Sequence, residues 1–509
     1  MANSGDHQST AAASAAGDGI AVIIVPFPAQ GHLNQMLQLA CLIASYGGAT
    51  VHYAAAAVHN RQARLRINAL SPAAVAAVKF HDLPTPPFPS PPPNPAAPSK
   101  FPCQLQPAWD ASLSLRRPMA EFIRATAAVH RRAVVIHDSL IAVLVQDAVA
   151  IPNAETYAFN CLSAFCQAKM NFELAGKPFP RRGLKELPAV TDCISGDLAA
   201  FIGLQEEALR RRSGDIYNTS RLIEPFYMDL LDRDAEEEEQ SHHRRRRKNW
   251  AIGPIIPADL HTAAQNFSGR RHDCLSWLDK QEPKSVIYVT FGTTTSLSDE
   301  EISELAAGLE RSGHKFIWVL RDADKANIFD GADVRRTLLP AGYEERLSGR
   351  AIVVRDWAPQ PEILAHRSTG GFMTHCGWNS CLESLTRGVP MAAWPMHSDQ
   401  PANALMVTEV LGAGVLVREY TAEPAVVRAP TVEAAVRRLM ESEEGRAARK
   451  RAEEWAEKLR RATEDGGASR RELEAFLAHI YRPGEADPGA AAAGAPGPAL
   501  FDVSANGGV

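Results

Sequence analysis

No stretch of this chain stays apolar for the roughly 20 residues a membrane-spanning helix needs, since the run Ile20–Val25 meets Pro26 after a strand's length. The first eighteen residues, mostly Ala, Ser and Gly with Asp6 and His7, lack the basic start and apolar core of a secretory leader. The expected address is therefore cytoplasmic. Cysteine is sparse: eight in 509 residues, at 41, 103, 161, 166, 193, 274, 376 and 381, with no CxxC pair. That spacing fits reduced thiols and excludes both a disulfide framework and a zinc ribbon, so no metal is expected. A basic surplus is also missing, with 54 Lys and Arg against 59 Asp and Glu and a net charge of −5, which argues against a general nucleic-acid binder. No GxSxG elbow occurs, and Gly308-x4-Gly313 is followed by His314-Lys315 where a P-loop needs Lys then Ser or Thr. Common serine hydrolases and P-loop nucleotide hydrolases are thereby set aside.

What is present is an alternation of strand-like and helix-like segments. The β-branched run Ile20–Val25 reads as a buried strand, and Leu33, Met36, Leu37, Ala40, Cys41 and Ala44 recur at helical spacing until Gly47-Gly48. Ala49–Ala54 is the next strand, and Val134–Ile136 followed by a helical Leu140–Val149 repeats the unit. The pattern restarts at Ser285–Phe291, then Ser298–Ser312 with the capping-box spacing Ser298-x-x-Glu301, then Lys315–Leu320. Further strands are expected at Ala351–Val354, Gly370–Thr374, Met391–Trp394 and Val415–Arg418, with helices at 431–441, 443–464 and 467–481. A chain of this length exceeds one core, so the prediction is α/β with two doubly wound, Rossmann-like parallel-sheet domains.

The expected division is a disordered tail at 1–18, an N-terminal domain at 19–251 and a linker at 252–273. A C-terminal domain follows at 274–465, then a helix at 466–482 packing back across the junction, and a second tail at 483–509. Residues 84–102, crowded with proline, read as a semi-rigid loop, and the charged block Asp232–Lys248 as a solvated insertion.

In open parallel sheets ligands gather beyond the carboxyl ends of strands, where helix N-termini offer free N–H groups. Four segments occupy such places. In Pro26–His32, His32 sits near a helix start, where the helix dipole is expected to lower its pKa and keep it neutral as a base; it could equally cap the loop. In Ile136–Ser139, Asp138 could orient that histidine or serve only as an N-cap. Thr290–Ser296 is a hydroxyl-rich turn of low specificity. The fourth runs from Trp357-Ala358-Pro359-Gln360 through His375-Cys376-Gly377-Trp378-Asn379-Ser380 to His397-Ser398-Asp399-Gln400. Its strand-to-helix turn suits a diphosphate and its Trp357 a nucleobase, while Ser380-x-x-Glu383 also has capping-box spacing.

That fourth segment, 44 residues from Trp357 to Gln400, resembles the plant secondary-product glycosyltransferase box. The resemblance extends over nearly the whole chain between the tails, including Gln30-Gly31-His32 and Ile252-Gly253-Pro254. It implies the GT-B fold, an inverting UDP-sugar transferase with no metal or other cofactor, and a small hydroxylated acceptor. Carried onto these residues, it implies that Trp357 stacks on uracil, Ala358 bonds its edge, and Gln360 and Glu383 hold the ribose. His375, Asn379, Ser380 and Thr293 would hold the diphosphate, and Trp378, Asp399 and Gln400 the sugar. His32 would be the general base and Asp138 its partner. Gln400 closing the box implies glucose as the donor sugar. Val25–Gln35 and His137–Leu140 look like the zeatin O-glucosyltransferase branch, which implies a zeatin-type cytokinin as acceptor, with the cis isomer favoured. Flavonoids or other phenolics are the alternative acceptors, and an inactive small-molecule-binding scaffold is the alternative of another class. A monomer without nucleic-acid or membrane partners is expected.

Overall fold

Runs rich in Val, Ile and Ala, bounded by turns, seed two separate parallel sheets, which the computed structural model describes over residues 17–67, 70–242, 247–255, 271–331, 335, 337–421 and 425–483. The first sheet has seven strands: β1 (Gly17–Val25), β2 (Ala49–Ala56), β3 (Lys79–Leu83), β4 (His130–Asp138), β5 (Ala154–Asn160), β6 (Gly214–Tyr217) and β7 (Lys248–Ala251). Their order is β3-β2-β1-β4-β5-β6-β7. The second has six: β8 (Val286–Thr290), β9 (Lys315–Val319), β10 (Ala351–Val354), β11 (Thr369–Thr374), β12 (Met391–Ala393) and β13 (Gly414–Leu416), in the order β10-β9-β8-β11-β12-β13. Both orders reverse beside the sheet's first strand, which opens a crevice at the carboxyl ends of β1 and β4 and of β8 and β11. The two-sheet α/β architecture expected from the sequence is what forms.

Helices cover both faces because strands such as β1, from Ile20 to Val25, and β8 are buried on both sides. Asp299–Ser312 opens with the anticipated capping box, Ser298 Oγ accepting from Glu301 N at 3.2 Å and Glu301 Oε2 from Ser298 N at 2.7 Å. The last helix, Ala468–Tyr481, lays Leu473, Phe476, Leu477 and Ile480 into the core of the first sheet. Arg132 Nη1 meets the end of that helix, donating to the carbonyls of Ile480 and Arg482 at 3.0 Å each.

Two local expectations are corrected. The helix expected at Leu140–Val149 is a pair of 3-10 helices, Ser139–Leu144 and Gln146–Ala150. Asp138 Oδ1 accepts from Leu140 N and starts a tight turn, non-helical dihedrals at Ile141 (φ −135°, ψ 29°) interrupt it, and Ile141 and Leu144, three residues apart, share one buried face. The block read as a solvated insertion from Asp232 belongs to the helix Pro225–His242, and Lys248 opens β7. Glu is a good helix former, and Leu230, Leu231 and Ala235 give this helix a buried face.

Of the expected tails and linker, residues 1–16, 256–270 and 484–509 lie outside the described residues, as do 243–246 of the charged block. Among the described residues no helix is long and apolar enough to cross a membrane.

Candidate active site

The first half of the site follows from strand adjacency. β1 and β4 pair in register with Val25 opposite His137, so the turn after β1 and the last residue of β4 lie side by side although 106 residues separate His32 from Asp138. The helix Gln30–Tyr46 begins directly after that turn and carries His32 in its first turn. His32 Nδ1 lies 2.7 Å from Asp138 Oδ2, with the imidazole 21% exposed and the carboxylate fully buried. An Nδ1–H donating to this carboxylate leaves the Nε2 lone pair as the free basic position. Asp138 does both jobs weighed from the sequence, since its Oδ1 caps Leu140 N at 3.0 Å.

The expected lowering of the His32 pKa is overturned. Burial does pull it down, but the charge and hydrogen bond of Asp138, joined by the charge of Asp399, raise it on balance. A full carboxylate in contact outweighs the fractional charge of a helix end.

The second half is built where β11 ends. His375 is followed by Cys376 in the left-handed region (φ 65°), and Gly377 is the N-cap of the helix Trp378–Arg387. Gly377 brings no capping side chain, so the first-turn N–H groups beyond that of Trp378 remain available to an anion or to neighbours. Two glycines clamp the His375 ring: a Cβ on Gly292 (φ 75°) or on Gly377 would stand 2.6 Å from His375 Nε2. Any larger residue would displace the imidazole. Burial pushes His375 down to about 4, so its imidazole is neutral near pH 7.

The turn after β10 presents Trp357 and Ala358, and Gln360 reaches across to the Trp378–Arg387 helix. Its Nε2 donates to Glu383 Oε2 at 2.8 Å and to Ser380 Oγ at 3.1 Å. The capping-box reading of Ser380 and Glu383 therefore fails: the cap is Gly377, and Ser380 lies inside the first turn. Burial raises the Glu383 carboxyl to about 7, against the hydrogen bond from Gln360. Beyond β12, Asp399 Oδ2 accepts from Asn403 Nδ2 at 2.7 Å and the carboxylate also takes the backbone N–H of Trp378, while burial raises its pKa. Gln400 turns its Oε1 back onto Met396 N at 2.9 Å and His397 N at 3.1 Å, which shapes the loop.

One cavity of about 290 Å³ is walled by His32, Thr293, Trp357, Ala358, Gln360, His375, Trp378, Asn379, Ser380, Glu383, Asp399 and Gln400. Asp138 stands behind His32. Some of these side chains also join the two halves: Asn379 Nδ2 donates to Gly31 O at 2.9 Å, and Trp378 Nε1 to Asn218 O at 2.8 Å. Both N–H groups of Trp378 are thus engaged within the protein, the indole by Asn218 O and the backbone by Asp399.

Three features escaped the sequence. Cys161 Sγ lies 3.3 Å from Asp138 Oδ2. Arg66 crosses from the first half to Asp324 Oδ2 at 2.5 Å and lies over the Trp357 ring at 5.1 Å. An apolar wall that includes Phe27, Phe101, Leu105, Trp109, Met170 and Leu198 extends the cavity beside His32. No short motif marks any of them. The proline-rich loop supplies Phe101, and it docks on the second half through Lys100 to Glu301 at 2.6 Å and Asn327 N to Ser90 Oγ at 2.9 Å.

Two family descriptions match this chain: the glycosyltransferase N-terminal domain over residues 18–257 and UDP-glucoronosyl and UDP-glucosyl transferase over residues 216–443. The chain is 49% identical to a zeatin O-xylosyltransferase of Phaseolus vulgaris, over 91% of this chain and 98% of that protein. It is 48% identical to a zeatin O-glucosyltransferase of Phaseolus lunatus (91% and 97%), and 38% identical to cis-zeatin O-glucosyltransferase 1 of Zea mays (91% and 99%). A transferase of Siraitia grosvenorii solved with UDP aligns with a TM-score of 0.73 at 26% identity, covering 91% of this chain and all of that one. With a GT-B architecture, the donor-side turns in place and relatives matched along nearly their whole length, this chain belongs to the UDP-glucosyl transferase family and is a UDP-glycosyltransferase.

Proposed function

We propose that this enzyme transfers glucose from UDP-glucose to the side-chain hydroxyl of a zeatin-type cytokinin in one inverting displacement. The observation that carries the reading is the single cavity in which the His32–Asp138 pair and an apolar wall face the glycine-started N-terminus of the helix Trp378–Arg387. His32 Nε2 takes the acceptor proton as the hydroxyl oxygen bonds to the anomeric carbon. The bond from that carbon to the UDP oxygen breaks, and UDP leaves with the electron pair. Asp138 steadies the imidazolium so formed. The N–H groups at the start of Trp378–Arg387 and the neutral His375 receive the charge growing on the leaving diphosphate, the part a divalent ion plays in other transferases. In this reading Trp357 stacks on uracil, Gln360 and Glu383 take the ribose hydroxyls, and Asp399 and Gln400 the sugar.

The relatives named for zeatin support the acceptor class, and their names divide between xylose and glucose. Glucose is preferred here on Gln400. The cis isomer, favoured by sequence resemblance, has its support in the maize relatives. All eight cysteines are unpaired, which suits the cytosol. A screen of UDP-glucose and UDP-xylose against cis-zeatin, trans-zeatin, a flavonol and a simple phenol tests the proposal. Turnover at least tenfold faster with a zeatin and UDP-glucose is the expected result. Preference for the flavonol overturns the acceptor, preference for UDP-xylose overturns the donor, and no turnover with any pair overturns the reading as an active transferase.

A further inference from the structure

Asp138 is oriented by more than His32. Its Oδ1 accepts from Leu140 N, and its Oδ2 is shared between His32 Nδ1 at 2.7 Å and the thiol of Cys161 at 3.3 Å. The thiol lies within the sulfur hydrogen-bond range and comes from a third strand end, because Cys161 directly follows β5 whereas His32 follows β1 and Asp138 ends β4. β5 pairs with β4 so that Asp138 faces Phe159, which brings the Cys161 side chain up to the carboxylate. Cys161 is itself fixed: it is buried, and its carbonyl accepts from Gln35 Nε2 at 3.3 Å. One donor atom each from His32, Asp138 and Cys161 falls within 4.8 Å of the others.

We infer that Cys161 is a positioning residue for the base, its S–H sharing Asp138 Oδ2 with the imidazole and so setting both the orientation of the carboxylate and how strongly it holds a proton on His32. The inference rests on the reading of His32 as base. Burial, with the Asp138 charge, pushes the thiol well above the ordinary cysteine range, so it stays a donor and is no nucleophile. Hydrogen-bond capacity that Oδ2 spends on sulfur is withdrawn from the imidazole. Taking the thiol away strengthens the His32–Asp138 pair, raises the His32 pKa and makes the neutral base scarcer at low pH. The other groups around the imidazole and carboxylate are Asp399 beyond β12, which also raises the His32 pKa, His137 of β4, which burial lowers to about 4 and so leaves uncharged, and Tyr53 of β2, whose hydroxyl is occupied donating to Leu33 O at 3.0 Å.

The test is the pH profile of kcat/KM for a hydroxyl acceptor in wild type, Cys161→Ala and Cys161→Ser, with Cys161→Val in reserve should the alanine variant fold poorly. For Cys161→Ala the acidic limb is expected to move up by about half to one pH unit, costing roughly three- to tenfold at pH 6 and little at pH 8.5. Serine, which restores an O–H donor, is expected to return the limb to its wild-type position. An unmoved limb in Cys161→Ala, or a limb displaced equally in Cys161→Ser, overturns the inference. A higher acceptor KM at every pH with the limb in place does so too, because it marks a side chain that only fills space. His32→Ala separates the two claims. If that variant still transfers sugar, the base reading falls and this inference with it; if it is inactive while the Cys161→Ala limb is unmoved, only the role of Cys161 falls.

Discussion

Two turns of this molecule share a design and differ in electrostatics. Each leads from the carboxyl end of a central strand into a helix N-terminus and carries a histidine, His32 after β1 and His375 after β11. His32 touches a buried carboxylate and its pKa rises; His375 lies between two glycines with no such partner, and burial drives it to about 4. One turn is thereby suited to accept a proton and the other to receive an anion while remaining neutral. Backbone geometry set the places, and carboxylates brought up by neighbouring elements, Asp138 first and Asp399 second, gave the two rings opposite pKa shifts.

The comparison is broken most forcefully at the carboxylate side. His32→Ala is expected to lower kcat by about 10²- to 10⁴-fold, and Asp138→Asn by roughly 10²-fold. UDP affinity, read by calorimetry, is expected to stay within about twofold in both, since neither residue is assigned to the donor. A large loss of UDP binding in His32→Ala would place that histidine in the donor site and erase the contrast.

A middle-sized effect sharpens the other turn. Trp357→Ala is expected to weaken UDP by about tenfold, the range for one lost base–aromatic stack. Glu383 adds a pH signature, because its carboxyl titrates near 7 and ribose hydroxyls donate best to the ionised form. Wild-type UDP affinity should therefore rise from pH 6 to pH 8 more steeply than that of Glu383→Gln, the difference isolating this group from the titration of UDP itself. Identical slopes would return Glu383 to a purely structural place beside Gln360.

The smallest effect is expected where the halves meet. Arg66 is an interdomain tie to Asp324, and it also donates to Gln30 Oε1 at 3.2 Å. Arg66→Ala should change the KM for UDP-glucose by less than about fivefold and leave the acidic limb of the rate profile in place, since Asp324 keeps a second cationic partner in Arg321 and is not left as an unpaired buried charge. A displaced limb would show that the tie reaches His32 through Gln30.

Much of the second half was legible in the sequence because its functional residues are local. Trp357 to Gln400 is one continuous segment of strand ends, glycines and hydrogen-bonding side chains, and the strands Ala351–Val354 and Met391–Ala393 form where short apolar runs placed them. The first half was less legible. His32 and Asp138 were each consistent with plain capping, and the helix drawn after Asp138 became two 3-10 turns once the carboxylate had to serve both Leu140 and His32.

By itself the sequence determined the class of fold and the strand-to-helix turns that carry the two histidines, both of which depend on hydrophobic period and on neighbours within a few residues. The tertiary structure alone decided that His32 and Asp138 touch, that Cys161 shares their carboxylate, that Arg66 lies over Trp357, and that the Glu383 carboxyl turns to Gln360. These contacts join strand ends and helix faces from 23 to 291 residues apart. Parallel pairing and domain packing bring such groups together, and the pKa of each depends on which charge arrives beside it and how much water is excluded.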